Sequence, residues 1–351
     1  MPQPVRVATV GLGWVALHRH LPVMKRSRRF EVVGVIDRAP GRARAVAAER
    51  RLAHSAEASS LAGVDWLDQV DAITVATAPM GHAALIGEAL ALGKHVLTEK
   101  PFTMTVPEGE ALLAAAAKAD RRLAIVHNFQ FSRSARKLAA DLEGGRLGEV
   151  RSVSAVQFGN PRRRLPEWYE QLPLGLFYDE SPHLLYLLRR LAGDLRLARC
   201  LVSPSTRGLV TPARLDAHFT SPDFAGPITL SCNFESPISE WYLAVFGEKA
   251  AGIVDVFRDI YVRLGNDEGH DTLHVLATSL AATRQHWWQH VTNGPPHLLG
   301  QLFYGNEEVF DRFGRAIDGE IEALAPICGE RALDVLKLQH AIIERQEIIG
   351  G

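Results

Sequence analysis

The chain has 351 residues, and 39 Lys+Arg against 40 Asp+Glu give a formal net charge of −1 at pH 7. Hydrophobic residues make up 47% and charged residues 23%, which is typical of a soluble globular protein, and the length corresponds to about two domains. The near-zero charge excludes a strongly basic nucleic-acid-binding surface over the whole chain and an acidic disordered protein. We therefore expect no nucleic-acid partner.

Cysteine usage and hydropathy limit the class of protein further. Cys200, Cys232 and Cys328 are too few and too scattered for a disulfide framework or a cysteine zinc site, which fits a reducing compartment. The apolar runs are far shorter than a membrane helix, and the N-terminus does not have the pattern of a signal peptide. We therefore expect a cytoplasmic protein with no membrane partner.

Strands and helices alternate in the first part of the chain. A short apolar run over Val5–Val10 ends at Gly11, which is typical of a strand buried on both faces of a parallel sheet. Further strands are predicted at 31–37, 71–77, 95–98 and 123–127. Helices are predicted at 14–25, 42–51, 82–92 and 107–119. This alternation predicts a doubly wound α/β domain over residues 1–128.

The pattern changes after residue 128. One helix is predicted at 134–143, and strands then follow with few helices between them, at 150–158, 213–220, 228–234, 242–246, 252–256 and 260–264. The last third returns to helix and ends with a predicted helix at 330–346. This order predicts a second domain over residues 129–351, with an α+β fold and a largely antiparallel sheet.

The first strand leads into a glycine-rich turn of the form G-x-G-x-x-A. Gly11 would make the tight turn, Gly13 would let a pyrophosphate approach the backbone, and Ala16 would allow close packing of helix on strand. Trp14 and Val15 lie inside the motif, where the helix N-terminus offers free N–H groups to phosphates. These five residues are predicted to bind a dinucleotide.

The end of the second strand bears on which dinucleotide is bound. Asp37 lies 21 residues after Ala16, where an acid accepts hydrogen bonds from the adenosine ribose and disfavours a 2′-phosphate. This favours NAD. Arg38 could instead hold the 2′-phosphate of NADP, so NADP is the alternative.

A lysine lies just past the strand predicted at 95–98. Ligands of open α/β sheets bind at the carboxyl ends of the strands, so Glu99 and Lys100 are candidates for the site. Lys100 has the chemistry to exchange a proton with a substrate hydroxyl. Thr77, Pro79 and His82 follow another strand and are predicted to pass close to the nicotinamide ribose.

Several motifs in chain order resemble the glucose–fructose oxidoreductase / inositol dehydrogenase (Gfo/Idh/MocA) family. They are GLGWVA at 11–16, TAPMGH at 77–82, GKHVLTEKP at 93–101, VHNFQF at 126–131, GRLGEV at 145–150, DESPH at 179–183 and VFGEKAAGIVDV at 245–256. The resemblance implies a Rossmann NAD(P)-binding domain followed by an open, mostly antiparallel sheet. That sheet would carry the substrate site and pair copies of the chain into a homodimer or homotetramer.

The resemblance places the catalytic lysine on Lys100 and the family's Asp and His on Asp179 and His183. Locally, Ser181 suits an N-cap and Pro182 the first helical position, so a helix is predicted from there to Gly193. His183 would then lie in the first turn, where the helix dipole favours the neutral ring that a general base requires. Asp179 would precede the helix and orient the imidazole or contact a substrate hydroxyl.

Further substrate-binding candidates flank this helix. Asn128, which is also a candidate for the cofactor, and Gln130 lie in the VHNFQF motif. Arg164 ends a run of three arginines that precedes Trp168, so this segment either recognises an anionic group or is a solvated loop. The family often has Arg where Gln130 stands, Gly where Ser181 stands and Asp where Tyr186 stands, which leaves the substrate open.

A His- and Trp-rich segment lies at 284–306. His286 and His290 have the i, i+4 spacing of metal ligands on a helix, but no acid completes an H-E-x-x-H motif, so no metal is predicted. Trp287 and Trp288 are expected to pack against the core, a subunit interface or the rim of the substrate cleft.

Together these features predict an NAD(P)-dependent oxidoreductase with a small-molecule substrate. Hydride would pass between the nicotinamide and a secondary alcohol or ketone of a sugar, cyclitol or related polyol. Two alternatives stay open: an NAD-dependent glycoside-cleaving enzyme of the same fold, and a non-catalytic regulator that only binds the dinucleotide.

Overall fold

The computed structural model describes residues 3–166 and 168–349. Contacts divide the chain into two compact units. The first contains the residues up to Asn128 together with Gly305–Lys337, and the second contains Phe129–Tyr304 and the residues from Leu338 onward.

The described strands and helices are numbered in chain order. The strands are β1 Val5–Val10, β2 Phe30–Asp37, β3 His54–Glu57, β4 Ala72–Val75, β5 His95–Thr98, β6 Leu123–Ile125, β7 Val150–Phe158, β8 Arg196–Ser203, β9 Arg214–Thr220, β10 Ile228–Asn233, β11 Glu240–Gly247, β12 Ala250–Asp255, β13 Ile260–Gly265 and β14 Gln346–Ile348. The helices are α1 Leu21–Arg26, α2 Arg42–Arg50, α3 His82–Ala91, α4 Val106–Ala119, α5 Arg133–Glu143, α6 Leu176–Ala192, α7 Thr272–Leu298, α8 Asn306–Ile317 and α9 Gly329–Glu344.

The first unit is built on a parallel sheet with the strand order β3-β2-β1-β4-β5-β6. β4 is an apolar run buried on both faces, and β1 differs from it only in the exposed Arg6, as expected for strands covered by helices on both sides. The strand order reverses between β1 and β4, where ligands of doubly wound sheets bind.

The second unit is built on a sheet with the strand order β13-β12-β11-β7-β10-β9-β8-β14. Its neighbours are antiparallel except for the pairs β7–β10 and β8–β14. Buried and half-buried residues alternate along β10, so one face of the sheet forms the core, and α5 and α6 pack on this sheet. The predicted fold class, a Rossmann domain followed by an α+β domain with a mostly antiparallel sheet, is confirmed.

Residues 305–337 differ from the sequence-based expectation, which placed them in the second domain. α8 packs against α1 and against the 3₁₀ segment Ile321–Ile327 that follows it, and Arg29 bonds Asp311 and Asp318. These contacts place this helical segment with the first unit.

The start of α6 also differs from the prediction. The helix begins at Leu176, five residues before Ser181, and Pro182 lies inside it. The hydroxyl of Thr211 accepts the Leu176 N–H at 2.9 Å, so a residue 35 positions away helps to satisfy the new helix start. The prediction that Asp179 precedes the helix and that His183 lies in its first turn is therefore wrong.

None of the helices in the described part of the chain combines the length and the apolar character needed to span a lipid bilayer.

Candidate active site

The glycine turn after β1 touches the end of β4. Gly11 has φ +84°, and a Cβ placed on it would lie 2.7 Å from Thr77 Cγ2 and 2.8 Å from the Ala76 backbone. Gly13 is exposed, and a Cβ placed on it would meet no atom within 4 Å. Gly11 is therefore required by the fold itself, whereas Gly13 leaves open space above the backbone that fits an approaching pyrophosphate.

Asp37 at the end of β2 holds this turn. One carboxylate oxygen accepts the Leu12 N–H at 2.7 Å and the other accepts the Ala39 N–H at 2.8 Å, and the side chain is buried. Arg38 beside it is exposed. Asp37 thus orders the glycine turn, while the guanidinium of Arg38 faces water next to it.

The chain after the turn begins a helix with an irregular first part. Ala16–His20 form a π-helical segment that runs into α1, and π-helical turns recur at functional sites. Ala16 is fully buried, Val15 is half-buried, and Trp14 is exposed with the guanidinium of Arg19 4.7 Å from its ring centre. Ala16 therefore provides the close packing that the motif predicts.

A buried carboxylate lies directly behind Lys100. His20 Nε2 lies 2.8 Å from Glu99 Oε1, and Glu99 Oε2 accepts the Lys100 N–H at 3.2 Å. Burial has the largest single effect on the pKa of Glu99 and raises it, but the hydrogen bond to His20 and the nearby positive charges, including that of Lys100, together lower the pKa below its usual value. Lys100 itself is half-buried. The backbone at Lys100 is thus held by an ionised, fully packed side chain.

His82 links the loops that follow β4 and β5. Its ring is fully buried, with Nδ1 2.8 Å from the carbonyl oxygen of Pro101 and Nε2 3.1 Å from that of Thr77. Burial lowers the pKa of His82, so the ring is neutral at pH 7. His82 therefore joins the two loops that carry Thr77 and Lys100, and its predicted contact with the cofactor stays a prediction.

The candidate cofactor residues of the first unit lie together at the carboxyl end of its parallel sheet. β1, β4, β5 and β6 are parallel neighbours, so the residues after their carboxyl ends share that end. These residues are Gly11, Thr77, Lys100 and Asn128. They lie at and beside the point where the strand order reverses, which is where a dinucleotide binds in this class of fold.

In the second unit, α6 places His183 in an aromatic cluster. The ring of His183 lies 4.7 Å from that of Phe129 and 5.6 Å from that of Trp241. Tyr186 Oη lies 3.1 Å from His183 Nδ1 and accepts the Phe129 N–H at 2.9 Å. Asp179 is half-buried one turn before His183, so both side chains lie on the same face of the helix.

Sequence reasoning missed Tyr186 and His20 as parts of the site. The position of Tyr186, three residues after His183 on a predicted helix, is a signal that could have identified it. No local pattern pairs His20 with Glu99, because 79 residues separate them.

The arginine run before α6 divides into two kinds of residue. Arg163 bonds Glu180, which is buried on α6 and also accepts a hydrogen bond from Gln157. Arg164 is exposed and Trp168 is half-buried. Arg163 is therefore an anchor of the fold, and Arg164 is the arginine that faces solvent.

Gln130 is a predicted substrate contact, and the structure buries it beside α6. Its side chain is packed at the start of α5, and its side-chain and backbone oxygens accept from Arg190 at 3.3 and 3.4 Å. The structure thus shows Gln130 holding Arg190 of α6.

The His- and Trp-rich segment begins in the second half of α7 and continues past the end of that helix at Leu298 to the start of α8. The rings of His286 and His290 are 4.7 Å apart, and Trp287 and Trp288 are exposed rather than packed in a core. Within residues 3–166 and 168–349, no group of three or more His, Cys, Asp or Glu side chains is arranged to hold a metal ion.

Comparison with known proteins bears on the first unit most directly. Residues 5–127 match the GFO_IDH_MocA family model, described as an oxidoreductase family with an NAD-binding Rossmann fold. These residues therefore form an NAD-binding Rossmann domain similar to that of this oxidoreductase family. Over these residues the predicted resemblance to the Gfo/Idh/MocA family is confirmed, and the match indicates a nicotinamide dinucleotide as the cofactor of that domain.

Two of the curated relatives are named as reductases of a dTDP-linked sugar. The dTDP-3,4-didehydro-2,6-dideoxy-alpha-D-glucose 3-reductase of Saccharopolyspora spinosa is 35% identical over 166 residues, covering 46% of this chain and 47% of that protein. The enzyme of the same name from Actinomadura kijaniata is 34% identical over 157 residues, covering 43% and 45%. The chain spans about half the length of the curated relatives it matches.

Solved structures share the fold over nearly the whole chain. KijD10, a 3-ketoreductase from Actinomadura kijaniata in complex with NADP and TDP-benzene, has a TM-score of 0.73 at 20% identity and covers 99% of both chains. The WlbA dehydrogenase from Bordetella pertussis, in complex with NADH and UDP-GlcNAcA, has a TM-score of 0.77 at 19% identity, with 98% of this chain and 96% of that one covered. At these identities the likeness concerns the fold.

Proposed function

We propose that the chain is an NAD(P)-dependent oxidoreductase that transfers hydride between a nicotinamide cofactor and a secondary alcohol or ketone of a sugar, cyclitol or related polyol. The observation that carries the proposal is the carboxyl end of the parallel sheet, where the open space at Gly13 follows β1 and the half-buried Lys100 follows β5, with only β4 between these strands. A protein that only bound a dinucleotide would need neither the lysine nor the ionised carboxylate that holds its backbone.

The proposed chemistry divides between two side chains. The nicotinamide, when bound, supplies the hydride acceptor or donor. In the oxidative direction His183 takes the hydroxyl proton while Lys100 donates a hydrogen bond to the same oxygen, and in the reductive direction the proton returns to that oxygen. Because Tyr186 engages His183 Nδ1, the nitrogen that exchanges the proton is Nε2. The joint action of Lys100 and His183 rests on the order of the family's motifs.

We further propose that the substrate carries an anionic part, such as the diphosphate of a nucleotide-linked keto sugar. The exposed Arg164, with half-buried Trp168 four residues further along the chain, supports this choice. A guanidinium forms two hydrogen bonds with a phosphate, and an indole stacks on a planar base. The curated relatives named above are named for their action on a dTDP-linked sugar, and we assign to Asp179 the contact with a sugar hydroxyl.

The second sheet supports assembly of the chain into a homodimer or homotetramer. Val156, Tyr242 and Phe246 alternate with core residues along β7 and β11, so they point to the face of the sheet opposite the core, where they are half-buried or exposed. A second copy on that face would cover these apolar and aromatic groups.

The proposal is tested by following the absorbance of reduced nicotinamide with a panel of nucleotide-linked keto sugars, free keto sugars and polyols. We expect turnover with at least one ketone or alcohol, and a loss of at least 100-fold in kcat for Lys100→Ala and for His183→Ala with cofactor affinity retained. Lys118→Ala, which removes an exposed lysine from α4, is the matched control. Near-wild-type turnover in Lys100→Ala or His183→Ala would contradict the role assigned to that residue.

A further inference from the structure

α7 packs its polar side on the edge of the second sheet. Gln289 donates to the Tyr261 carbonyl at 2.6 Å and accepts the Tyr261 N–H at 3.1 Å. Gln285 makes the same pair with Arg263, at 2.9 and 3.0 Å, and Asn293 donates to the Asp259 carbonyl at 2.7 Å. These amides therefore satisfy the backbone of the edge strand β13 in place of another strand.

This arrangement reverses the usual polarity of a surface helix, because the apolar side of α7 faces away from the protein. Nine of the eighteen exposed large hydrophobic residues of the described chain lie between residues 273 and 299. The exposed fraction is 61% for Leu280 and 64% for Trp287. The apolar stripe at helical spacing, termed the outer face of α7, consists of Leu273, Leu276, Leu280, Trp287, Val291 and Leu298.

We propose that the outer face of α7 is an interface with a second copy of this chain, in which two α7 helices pack antiparallel about a twofold axis. The spacing of the apolar residues along α7 supports this antiparallel arrangement. Leu280 and Trp287 lie at equal distances from a midpoint between Thr283 and Arg284, and so do Leu276 and Val291. An antiparallel pair centred there brings Leu280 against Trp287 and Leu276 against Val291 of the other copy, twice each. A twofold interface requires such self-complementarity.

The amount of apolar surface fits a dimer. The six side chains of the outer face present on the order of 700 Å² per copy, against about 800 Å² per partner in a standard interface. The largest apolar patch of an ordinary monomer is only about 300–600 Å². A patch of this size therefore indicates a surface that is covered in the assembled protein.

The charge of the helix favours a second copy over a membrane. Arg284 is the only Lys, Arg, Asp or Glu residue between 272 and 298. Helices that lie on membranes carry Lys and Arg along a solvated polar face, whereas the polar face of α7 is used up on the edge of the sheet.

The oligomeric state of the full-length chain tests the proposal. In analytical ultracentrifugation we expect the double variant Leu280→Glu/Trp287→Glu to halve the mass of the wild-type particle, from tetramer to dimer or from dimer to monomer. Ile238→Glu, at a side chain that is 50% exposed elsewhere in the same unit, is the matched control and should leave the mass unchanged. A monomeric wild type, or a double variant of unchanged mass, would overturn the proposal.

Crosslinking tests the geometry without a disruptive charge. In the antiparallel pair the two copies of residue 283 lie within about 2 Å of each other along the helix axis, whereas those of residue 273 are about 30 Å apart. A short thiol-specific crosslinker should therefore join Thr283→Cys chains and not Leu273→Cys chains. Wild type, with Cys200 and Cys232 buried and Cys328 half-buried, gives the background.

Two results would contradict the proposal that a second copy covers the outer face of α7 in this way. Crosslinking of Leu273→Cys but not of Thr283→Cys would exclude the antiparallel pair. Flotation of the wild type with neutral phosphatidylcholine vesicles, lost in the double variant, would show that the stripe binds lipid rather than a second copy.

Discussion

At the scale of single residues, His183 is positioned by its neighbours and not by a helix terminus. Its ring packs between Phe129 and Trp241, and its Nδ1 meets the hydroxyl of Tyr186. That hydroxyl is itself fixed by the backbone N–H of Phe129. Tyr186 therefore acts as a positioning residue for the proposed proton transfer.

Removing this hydroxyl should change catalysis in a pH-dependent way. In Tyr186→Phe we expect kcat to fall about tenfold, which corresponds to one hydrogen bond of about 1.4 kcal/mol, with the affinity for the cofactor unchanged. The imidazolium loses an acceptor for its Nδ1–H, so the charged form is disfavoured and the acid limb of the pH–rate profile should move to lower pH. Kinetics across pH measure both effects.

Tyr261→Phe is the matched control for this prediction. It also removes a buried tyrosine hydroxyl, which bonds Asp141 at 2.8 Å. We expect it to lower the free energy of unfolding and to leave the pH–rate profile in place. A profile that is the same in Tyr186→Phe and wild type would exclude the positioning role.

Arg38 should determine how well the 2′-phosphate is tolerated. Because Asp37 is buried on the glycine turn and Arg38 is exposed, we expect the chain to bind both NADH and NADPH. Arg38→Ala should raise the Kd for NADPH about tenfold or more and change that for NADH less than about twofold. Arg28→Ala, at the amino end of β2, is the control, and equal losses for both cofactors would refute this role.

At the scale of elements, α7 shows how a helix can close a sheet. Gln285, Gln289 and Asn293 recur every four residues, about 6 Å along the helix, while their partners Arg263, Tyr261 and Asp259 recur every two, about 6.6 Å along the strand. This near match of spacing lets one helix face serve as a substitute for a neighbouring strand.

Removing one of these hydrogen-bonding amides should destabilise the second unit. Gln289→Leu leaves the N–H and C=O of Tyr261 without their partners, and we expect a loss of about 2–3 kcal/mol in the free energy of unfolding in urea. Amide hydrogen exchange at Tyr261 should become faster. Gln301→Leu, at an exposed glutamine, should change neither quantity. Unaltered amide exchange at Tyr261 in Gln289→Leu would contradict the role of Gln289 in satisfying the backbone of β13.

The elements also show how far sequence reasoning reaches. Buried strands such as β1 and β4, and the turn at Gly11, were predictable because short apolar runs and turn glycines are local signals. The start of α6 was not, because it depends on Thr211, and β3 and β14 were missed because they are short and lie at sheet edges. The outward apolar face of α7 was also beyond reach, since periodicity shows a stripe but not which side is covered.

At the scale of the whole molecule, two neutral histidines, the half-buried His95 and the buried His127, make the stability of the first unit depend on pH. Burial, with the nearby charges of Arg121 and Arg122, lowers the pKa of His95 to about 4. Burial, with the charge of Arg331, lowers the pKa of His127 to about 3. In the unfolded chain both rings bind a proton below about pH 6.5.

Stability should therefore fall as the pH drops. Between about pH 6.5 and pH 4 the unfolded state binds more protons than the folded state, so each of these histidines contributes a loss of up to about 1.4 kcal/mol per pH unit. Urea unfolding of the first unit at about pH 7 and about pH 5 measures this loss. His95→Gln should reduce the slope, and a variant with the wild-type slope would contradict the assignment.

The central claim is that the first unit binds a nicotinamide dinucleotide at the turn between Gly11 and Gly13, and a titration followed by NADH and NADPH fluorescence tests it most directly. We predict saturable binding by the wild type and at least a 100-fold weaker Kd for Gly13→Val. Because a Cβ at position 13 would meet no atom of the protein within 4 Å, the variant should stay folded. Gly265→Ala, at another open glycine, should bind normally. Failure of the wild type to bind either dinucleotide, or unchanged binding by Gly13→Val, would contradict the account.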